Sequence, residues 1–182
     1  MDNCAAKYRR FLEGDESAVA EIMEELFLGL VFFIGRYVGD VHAAEDIALD
    51  VMSDLFVYKR RYNFKVSLKT YLYMLGKSRA LDYLRRRKRI EFTELSEAEN
   101  AAEEAELEEA VLADERKRAL NAALGRLPED MQAAVHLVYF DGLTYEEAAK
   151  VMKKSKKQID NLIYRAKKEL RSVLGEEDQR PL

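Results

Sequence analysis

Along residues 18–38, apolar side chains return at Val19, Ile22, Met23, Leu26, Phe27, Leu30, Phe33, Ile34 and Tyr37, at offsets of three and four. That spacing marks one face of an α-helix; the faces of a strand alternate every second residue. The pattern resumes at Ile47, Val51, Leu55 and Phe56, at Leu72, Leu75, Leu81 and Leu84, and again at Ile159, Leu162, Ile163, Ala166 and Leu170. Only eight Gly and two Pro punctuate 182 residues. The expected fold is all-α, and the length suits one compact domain or two small ones in tandem. With 48% hydrophobic residues the chain is expected to be folded, which sets aside collagen-like and Pro-rich disordered readings.

The breaks fall between these runs. Asp15, Glu16 and Ser17 suit a helix start, and Gly39 with Asp40 suits a break before a helix over residues 41–58. A loop containing Asn63 and Ser67 precedes a helix over residues 68–88. Residues 91–105 are rich in Glu and Ala with few long apolar side chains and read as a domain boundary. Helix is expected to return over residues 107–123. Leu127, Pro128, Glu129 and Asp130 read as a loop leading into a helix with Pro in its first turn, running through Val135, Val138 and Tyr139 to Asp141 and Gly142. Thr144 followed by Glu147 is a capping-box pattern, and Ser155 can cap the helix after it. Two short helices, a turn of about three residues, small Ala side chains at the approach and a basic second helix make a helix-turn-helix.

Chemistry-bearing residues are sparse. One Cys excludes an internal disulfide, and two His far from Cys4 offer no metal-ligand spacing, so no metal and no cofactor are expected. Cys4 reads as an unused thiol near a frayed terminus, and His136 as a packed or half-exposed side chain. There is no glycine-rich phosphate loop. Glu45, Asp46 and Asp50 could hold a magnesium ion in an enclosed pocket, with His42 the only nearby imidazole, so an enzyme is the weaker reading. No apolar run reaches about eighteen residues and no signal peptide opens the chain, so a cytoplasmic protein without membrane insertion is expected.

Charge is laid out in blocks: −5 over residues 1–64, +8 over 65–90, −8 over 91–118 and +1 over 119–182. Within the last block, nine cations over residues 147–174 face only Glu147, Asp160 and Glu169. Two basic patches separated by an acidic stretch suit a protein that touches two lengths of polyanion. Glu45, Asp46, Asp50 and Asp54 share a helix face opposite the apolar one, which fits either a solvated face or a dock for a basic partner. The run from Arg85 through Arg86, Arg87, Lys88 and Arg89 ends its helix, favoured by the dipole yet self-repelling, and suits phosphate. On the last helix, Gln158 and Asn161 have amides able to pair with adenine edges, while Lys156, Lys157, Arg165 and Lys168 suit phosphate or base contact.

Two ordered blocks carry a family resemblance. The first holds Ala44, Glu45, Asp46, Ile47, Asp50, Val51, Leu55 and Phe56, then Tyr62, Asn63, Phe64, the run from Ser67 to Leu72 and the run from Ala80 to Arg87. The second holds Leu124, Leu127, Pro128, Glu129, the run from Tyr139 to Ala149, then Ser155, Ile159, Arg165, Ala166 and Leu170. In order, separation and length the chain resembles the bacterial RNA polymerase sigma factors of the sigma-70 family, specifically the extracytoplasmic-function group. The resemblance implies two small helical domains, residues 1–90 and 107–182, joined by an acidic linker over residues 91–106, the second domain carrying the helix-turn-helix. It implies a non-catalytic subunit that binds the polymerase core through Glu45, Asp46, Leu49, Asp50 and Asp54. It further implies capture of the melted minus-ten strand, with Tyr62, Asn63, Phe64, Lys65, Ser67, Lys69, Lys77, Ser78, Arg79, Arg85, Arg86 and Arg87 as candidates. Duplex recognition of the minus-thirty-five element falls to Thr144, Lys156, Lys157, Gln158, Asn161, Arg165 and Lys168. Tyr71 and Tyr83 suit either stacking on a base or core packing.

An anti-sigma factor that clamps the two domains, and a monomer in the free state, are implied as well. The chain departs from the family's usual residues at Leu49, Tyr71, Ser78, Asp160 and Leu162, and Asp160 removes a favourable phosphate interaction. Two other readings remain: a stand-alone helix-turn-helix regulator, and a sigma-like chain that only titrates an inhibitor. Binding to core polymerase separates the first of these from a sigma factor.

Overall fold

Gly39 stands at φ +67° and its N–H donates to the Gly35 carbonyl, so the first long helix ends where a residue without Cβ meets no penalty in left-handed backbone. One residue later Asp40, in extended backbone, accepts the Ala43 N–H at 3.1 Å and caps the next helix. The computed structural model describes residues 3–93 and 115–174, and the chain divides into two compact units, residues 1–105 and 106–182. The described residues form helices and no strand.

The first unit contains α1 (Asn3–Leu12), α2 (Ser17–Val38), α3 (Val41–Val57) and α4 (Leu68–Thr93). Helix α2 is the axis of the packing and is touched by the other three. Its Ile22, Leu26, Leu30, Phe33 and Ile34 are fully or almost fully buried, each worth on the order of 1.5–3 kcal/mol of burial. A Cβ placed on Gly76 of α4 would stand 2.9 Å from Leu30 Cδ1 and 3.2 Å from Ile34 Cδ1, so α4 lies against α2 with no room for a side chain there. Of the leucines expected inward on α4, Leu72 is buried while Leu75, Leu81 and Leu84 are half-buried. Asp15 accepts the Ser17 N–H at 3.0 Å at the start of α2, as its sequence suggested.

Sequence pattern did not give α1. Tyr8 is fully buried, and its hydroxyl donates to the Leu55 carbonyl at 2.9 Å and the Lys59 carbonyl at 3.1 Å, stapling α1 to the end of α3. Cys4 is correspondingly buried, its Sγ donating to Glu25 at 3.0 Å, which corrects the reading of a frayed terminus. Helix α4 also runs past Lys88 to Thr93, into the stretch read as linker. Of the helix expected over residues 107–123, residues 107–114 lie outside the described residues.

The second unit contains α5 (Glu115–Gly125), α6 (Glu129–Val135), α7 (Tyr145–Met152) and α8 (Lys156–Leu174). Pro128 sits at the cap position of α6, one place before the first-turn position expected of it. Helix α6 then widens into a π-helix over His136–Phe140, the Asp141 N–H reaching the His136 carbonyl at 3.0 Å. His136 is buried, its Nε2 3.1 Å from Asp141 Oδ2 and its ring stacked on Phe140, so it is a packed side chain. Gly142 at φ +68° turns the chain toward α7. The capping box of Thr144 and Glu147 is present in both directions. Residues 153–155 form the turn, with Lys153 in left-handed backbone, and Ala148, Ala149, Ile159, Ile163 and Ala166 fill the contact between α7 and α8.

Candidate nucleic-acid interface

Three surfaces carry the residues singled out above. On α3, Glu45, Asp46, Leu49 and Asp50 are exposed on one face, so an apolar side chain sits among carboxylates. Asp54 is different. Its Oδ2 is bonded by Arg79 Nη2 from α4 and lies 3.5 Å from Arg61 Nη1, and Arg79 Nη1 reaches Asp50 at 3.4 Å. The stripe is therefore open at one end and neutralised at the other.

The second surface is the loop between α3 and α4 with the outer face of α4. Tyr62 is 4% exposed and donates to the Val66 carbonyl at 2.7 Å. Its ring lies 4.6 Å from Phe64, 5.1 Å from Tyr71 and 5.6 Å from Tyr8. The ring is buried among these three and forms the floor on which the loop is built. Phe64 is half-buried at φ +59°, with the Arg9 guanidinium 4.9 Å from its ring centre. Asn63 Oδ1 accepts the Lys65 N–H at 3.1 Å, an Asx turn that leaves Asn63 and Lys65 exposed at the tip. Ser67 accepts the Thr70 N–H at 3.2 Å and shares a 2.6 Å bond with the Thr70 hydroxyl, so it caps α4.

Along α4, Lys69 and Lys77 are half-buried, Lys77 with its Nζ 5.6 Å from the Tyr37 ring centre, and Ser78 is exposed. Arg85, Arg86 and Arg87 are exposed, Arg85 pairing with Asp82 at 2.8 Å. Tyr71 and Tyr83 are half-buried. Burial pushes the Tyr71 phenol up; Arg61 nearby works against that and Asp54 with it, which sets the ring beside this ion-pair cluster. Sequence reasoning passed over residues 58–61. There Val57 and Tyr58 are exposed, the Arg61 guanidinium lies 3.9 Å from the Tyr58 ring centre, and three cations in succession beside an aromatic were the available signal.

The third surface is α8. Lys157, Asn161, Arg165 and Lys168 are exposed at helical spacing on one face, and Asp160 is exposed on a neighbouring position. Lys156 is hydrogen-bonded to Glu146 of α7; that bond raises the ammonium's pKa and lowers the carboxyl's. Thr144 spends its hydroxyl on Glu147, donating to Oε2 at 2.9 Å and accepting the Glu147 N–H at 3.2 Å. Gln158 takes the Ser155 N–H on its side-chain oxygen at 2.7 Å. Tyr164, 70% exposed beside Arg165, was not among the sequence candidates. Two exposed cationic faces, one on each unit, are the electrostatic footprint of contact with polyanion.

Comparison with known proteins gives the family of each unit. Residues 30–90 match the family model of sigma-70 region 2, and residues 117–170 match that of sigma-70 region 4. The chain is 28% identical over 176 residues to the RNA polymerase sigma-H factor of Pseudomonas aeruginosa, covering 91% of this chain and 90% of that one. It is 22% identical over 155 residues to the ECF RNA polymerase sigma factor SigM of Bacillus subtilis, covering 85% and 94%. Among solved structures, the sigma factor RpoE of Bartonella quintana, in complex with the anti-sigma factor NepR, superposes with a TM-score of 0.63 at 20% identity, covering 88% of this chain and 98% of that one. CnrH, in complex with the cytosolic domain of CnrY, gives 0.59 at 17% identity, covering 94% of each. With a region-2 unit followed by a region-4 unit and relatives of the same length, the chain belongs to the sigma-70 family of RNA polymerase sigma factors, in its extracytoplasmic-function group.

Proposed function

We infer that this chain is the promoter-specificity subunit of RNA polymerase: it binds the core enzyme, directs it to a promoter and supports melting and initiation. The single observation that carries the reading is the order of a region-2 match and a region-4 match along one chain, each on its own compact unit. In the first unit, Glu45, Asp46, Leu49 and Asp50 on α3 are the dock for the core, an apolar centre within an acidic rim. Opening a duplex requires unpaired bases to be trapped, and the exposed tip of Asn63 and Lys65 beside Phe64 is suited to that, with Lys69, Lys77, Ser78, Arg85, Arg86 and Arg87 following the strand. In the second unit, α8 enters the major groove, where Asn161 and Arg165 reach base edges and Lys157 and Lys168 reach phosphate.

Nothing in this work is chemical catalysis by the chain itself; the bond-forming step belongs to the core. The site of action is the cytoplasm, and no helix among the described residues is long and apolar enough to cross a membrane. An anti-sigma factor that covers both cationic faces would hold the chain inactive, and without a partner the chain is a monomer.

The test is run-off transcription with purified core polymerase on a pool of promoter-like duplexes at two salt concentrations, with and without the chain. Product only when the chain is present, from templates sharing two spaced elements, is the expected result. Absence of product together with absence of co-elution with a competent core would overturn the reading in favour of a stand-alone regulator.

A further inference from the structure

Asp54 and Arg79 were each read as outward contacts, one to the core and one to phosphate, yet they are bonded to one another from separate helices. The Asp54 side chain is 24% exposed, against 73% for Asp50 one turn earlier on the same face. Its Oδ2 is shared by two guanidinium groups, Arg79 from α4 and Arg61 from the turn after α3. The Arg61 N–H closes that turn on the Tyr58 carbonyl at 2.9 Å, and its guanidinium lies against the Tyr58 ring. The Tyr71 phenol, whose ring packs on Tyr62, feels both Arg61 and Asp54. A half-buried carboxylate is screened less than an exposed one, and one already engaged by two cations offers little to a basic partner.

We propose that Asp54, Arg61 and Arg79 form a brace that fixes the loop of residues 62–67 against α4, with Asp54 and Arg79 acting as positioning residues for capture of the minus-ten strand. They touch neither the core nor the DNA. The cluster gathers the end of α3, the turn that leads into the loop and the middle of α4 onto one carboxylate oxygen. It therefore sets where the exposed tip at Asn63 and Lys65 stands relative to the cations of α4. The inference rests on the promoter-reading function above and adds a division of labour to it: Glu45, Asp46 and Asp50 dock, while Asp54 holds.

The experiment uses the full chain with core polymerase on a promoter selected by the wild-type chain from a duplex pool. Three quantities are read for Arg79→Gln, Asp54→Asn and Arg61→Gln: affinity for core, permanganate reactivity of unpaired minus-ten thymines, and the slope of promoter affinity against salt. Loss of the brace is expected to lower open-complex occupancy about fivefold in Arg79→Gln and Asp54→Asn, with the double variant no worse than the weaker single one. Core affinity should stay within about twofold, because the Arg79 contact with Asp50 is long at 3.4 Å and leaves the Asp50 side chain 73% exposed. The salt slope should not change, because no phosphate contact is lost.

A slope lowered by about one in Arg79→Gln would make that residue a phosphate contact and overturn the brace. A core affinity about tenfold weaker in Asp54→Asn would make Asp54 part of the dock and overturn it equally. Wild-type occupancy in all three variants would also overturn it. Arg61 is 59% exposed, so its variant folds even if the other two do not, and its loss of occupancy at constant slope decides the matter alone. A wild-type chain that binds core but selects no promoter overturns the promoter-reading function, and the brace with it. A wild-type chain that selects one leaves the brace to stand or fall on the variants.

Discussion

Ser155 and Gln158 cap α8 reciprocally: the Gln158 N–H donates to Ser155 Oγ at 3.2 Å, and the Ser155 N–H donates to Gln158 Oε1 at 2.7 Å. A bidentate pairing with adenine needs both the oxygen and the nitrogen of an amide, and here the oxygen is committed. Ser155→Ala should therefore cost about 1 kcal/mol of stability of the second unit, as cap losses do, read by urea denaturation. Gln158→Ala should weaken binding to all minus-thirty-five duplexes alike and leave their ranking unchanged. A selection experiment in which that variant loses preference for adenine at one position would show that the side chain leaves its cap on DNA.

Gly76 sets the closest approach in the first unit. Ala is the better helix former by about 1 kcal/mol, so an open site would gain from the change. At this one the new Cβ meets Leu30 Cδ1 at 2.9 Å and two atoms of Ile34 within 3.3 Å, and because both side chains are fully buried they can yield only by repacking the core. Overpacking of that kind costs about 1–3 kcal/mol, which exceeds the propensity gain. Gly76→Ala should lower the midpoint of urea denaturation modestly, and Gly76→Val should lower it far more. A stabilised Gly76→Ala would mean that α2 and α4 separate more readily than their packing implies.

The long helices were legible because their signals are local. The apolar period of α2, the Gly39 and Asp40 break, and the Thr144 and Glu147 box all act within a few residues of where they are written. Helix α1 was not legible. It has only ten residues, and it is held by what Tyr8 and Phe11 pack against elsewhere, Tyr62 of the loop and Phe56 of α3. The π-helix escaped for a similar reason, since nothing in a helical pattern marks the residue that widens a turn. The candidate surfaces were found as stripes of charge, but sequence gives the sign of a stripe and not its pairing. Asp54 and Arg79 are 25 residues apart, and only the packing of α3 on α4 makes them neighbours. Tyr62 serves as the buried floor of the loop and Ser67 as the cap of α4, and in sequence a loop aromatic or a loop hydroxyl looks alike whether it faces out or serves the loop itself.

Tyr8 tests the missed helix. Its hydroxyl serves two carbonyls where α3 ends, and burial pushes the phenol up to about 12. Tyr8→Phe keeps the ring and leaves those carbonyls short of a donor, so a loss of about 1–3 kcal/mol is expected, with the denaturant dependence otherwise unchanged. Because Lys59 begins the turn that leads to the minus-ten loop, the same variant should also reduce open-complex formation at temperatures where it remains folded. A stability equal to the parent's would mean that water replaces the hydroxyl at no cost.

Glu25 makes the docking of α1 on α2 dependent on acid. Its carboxyl accepts from Cys4 Sγ at 3.0 Å and from Lys7 Nζ at 2.5 Å, and these bonds, the thiol's first, hold its pKa below the ordinary 4.5. A carboxyl with a depressed folded pKa contributes stability that is fully present above the unfolded value, and that contribution is lost as the pH falls through the folded one. Asp15, lowered chiefly by its bond from Ser17, adds to the same dependence in the same direction. Urea denaturation followed from pH 7 down to below 4 should therefore show the first unit weakening below about pH 4.5, and Glu25→Gln should flatten part of that slope. Lys7, raised mainly by its bond to Glu25, predicts the mirror behaviour: its contribution is intact below 10.5 and fades only as the pH climbs through its raised value. A Glu25→Gln variant with an unchanged acid slope would mean that the Cys4, Lys7 and Glu25 cluster is open to solvent in solution, and that α1 is held by Tyr8 and Phe11 alone.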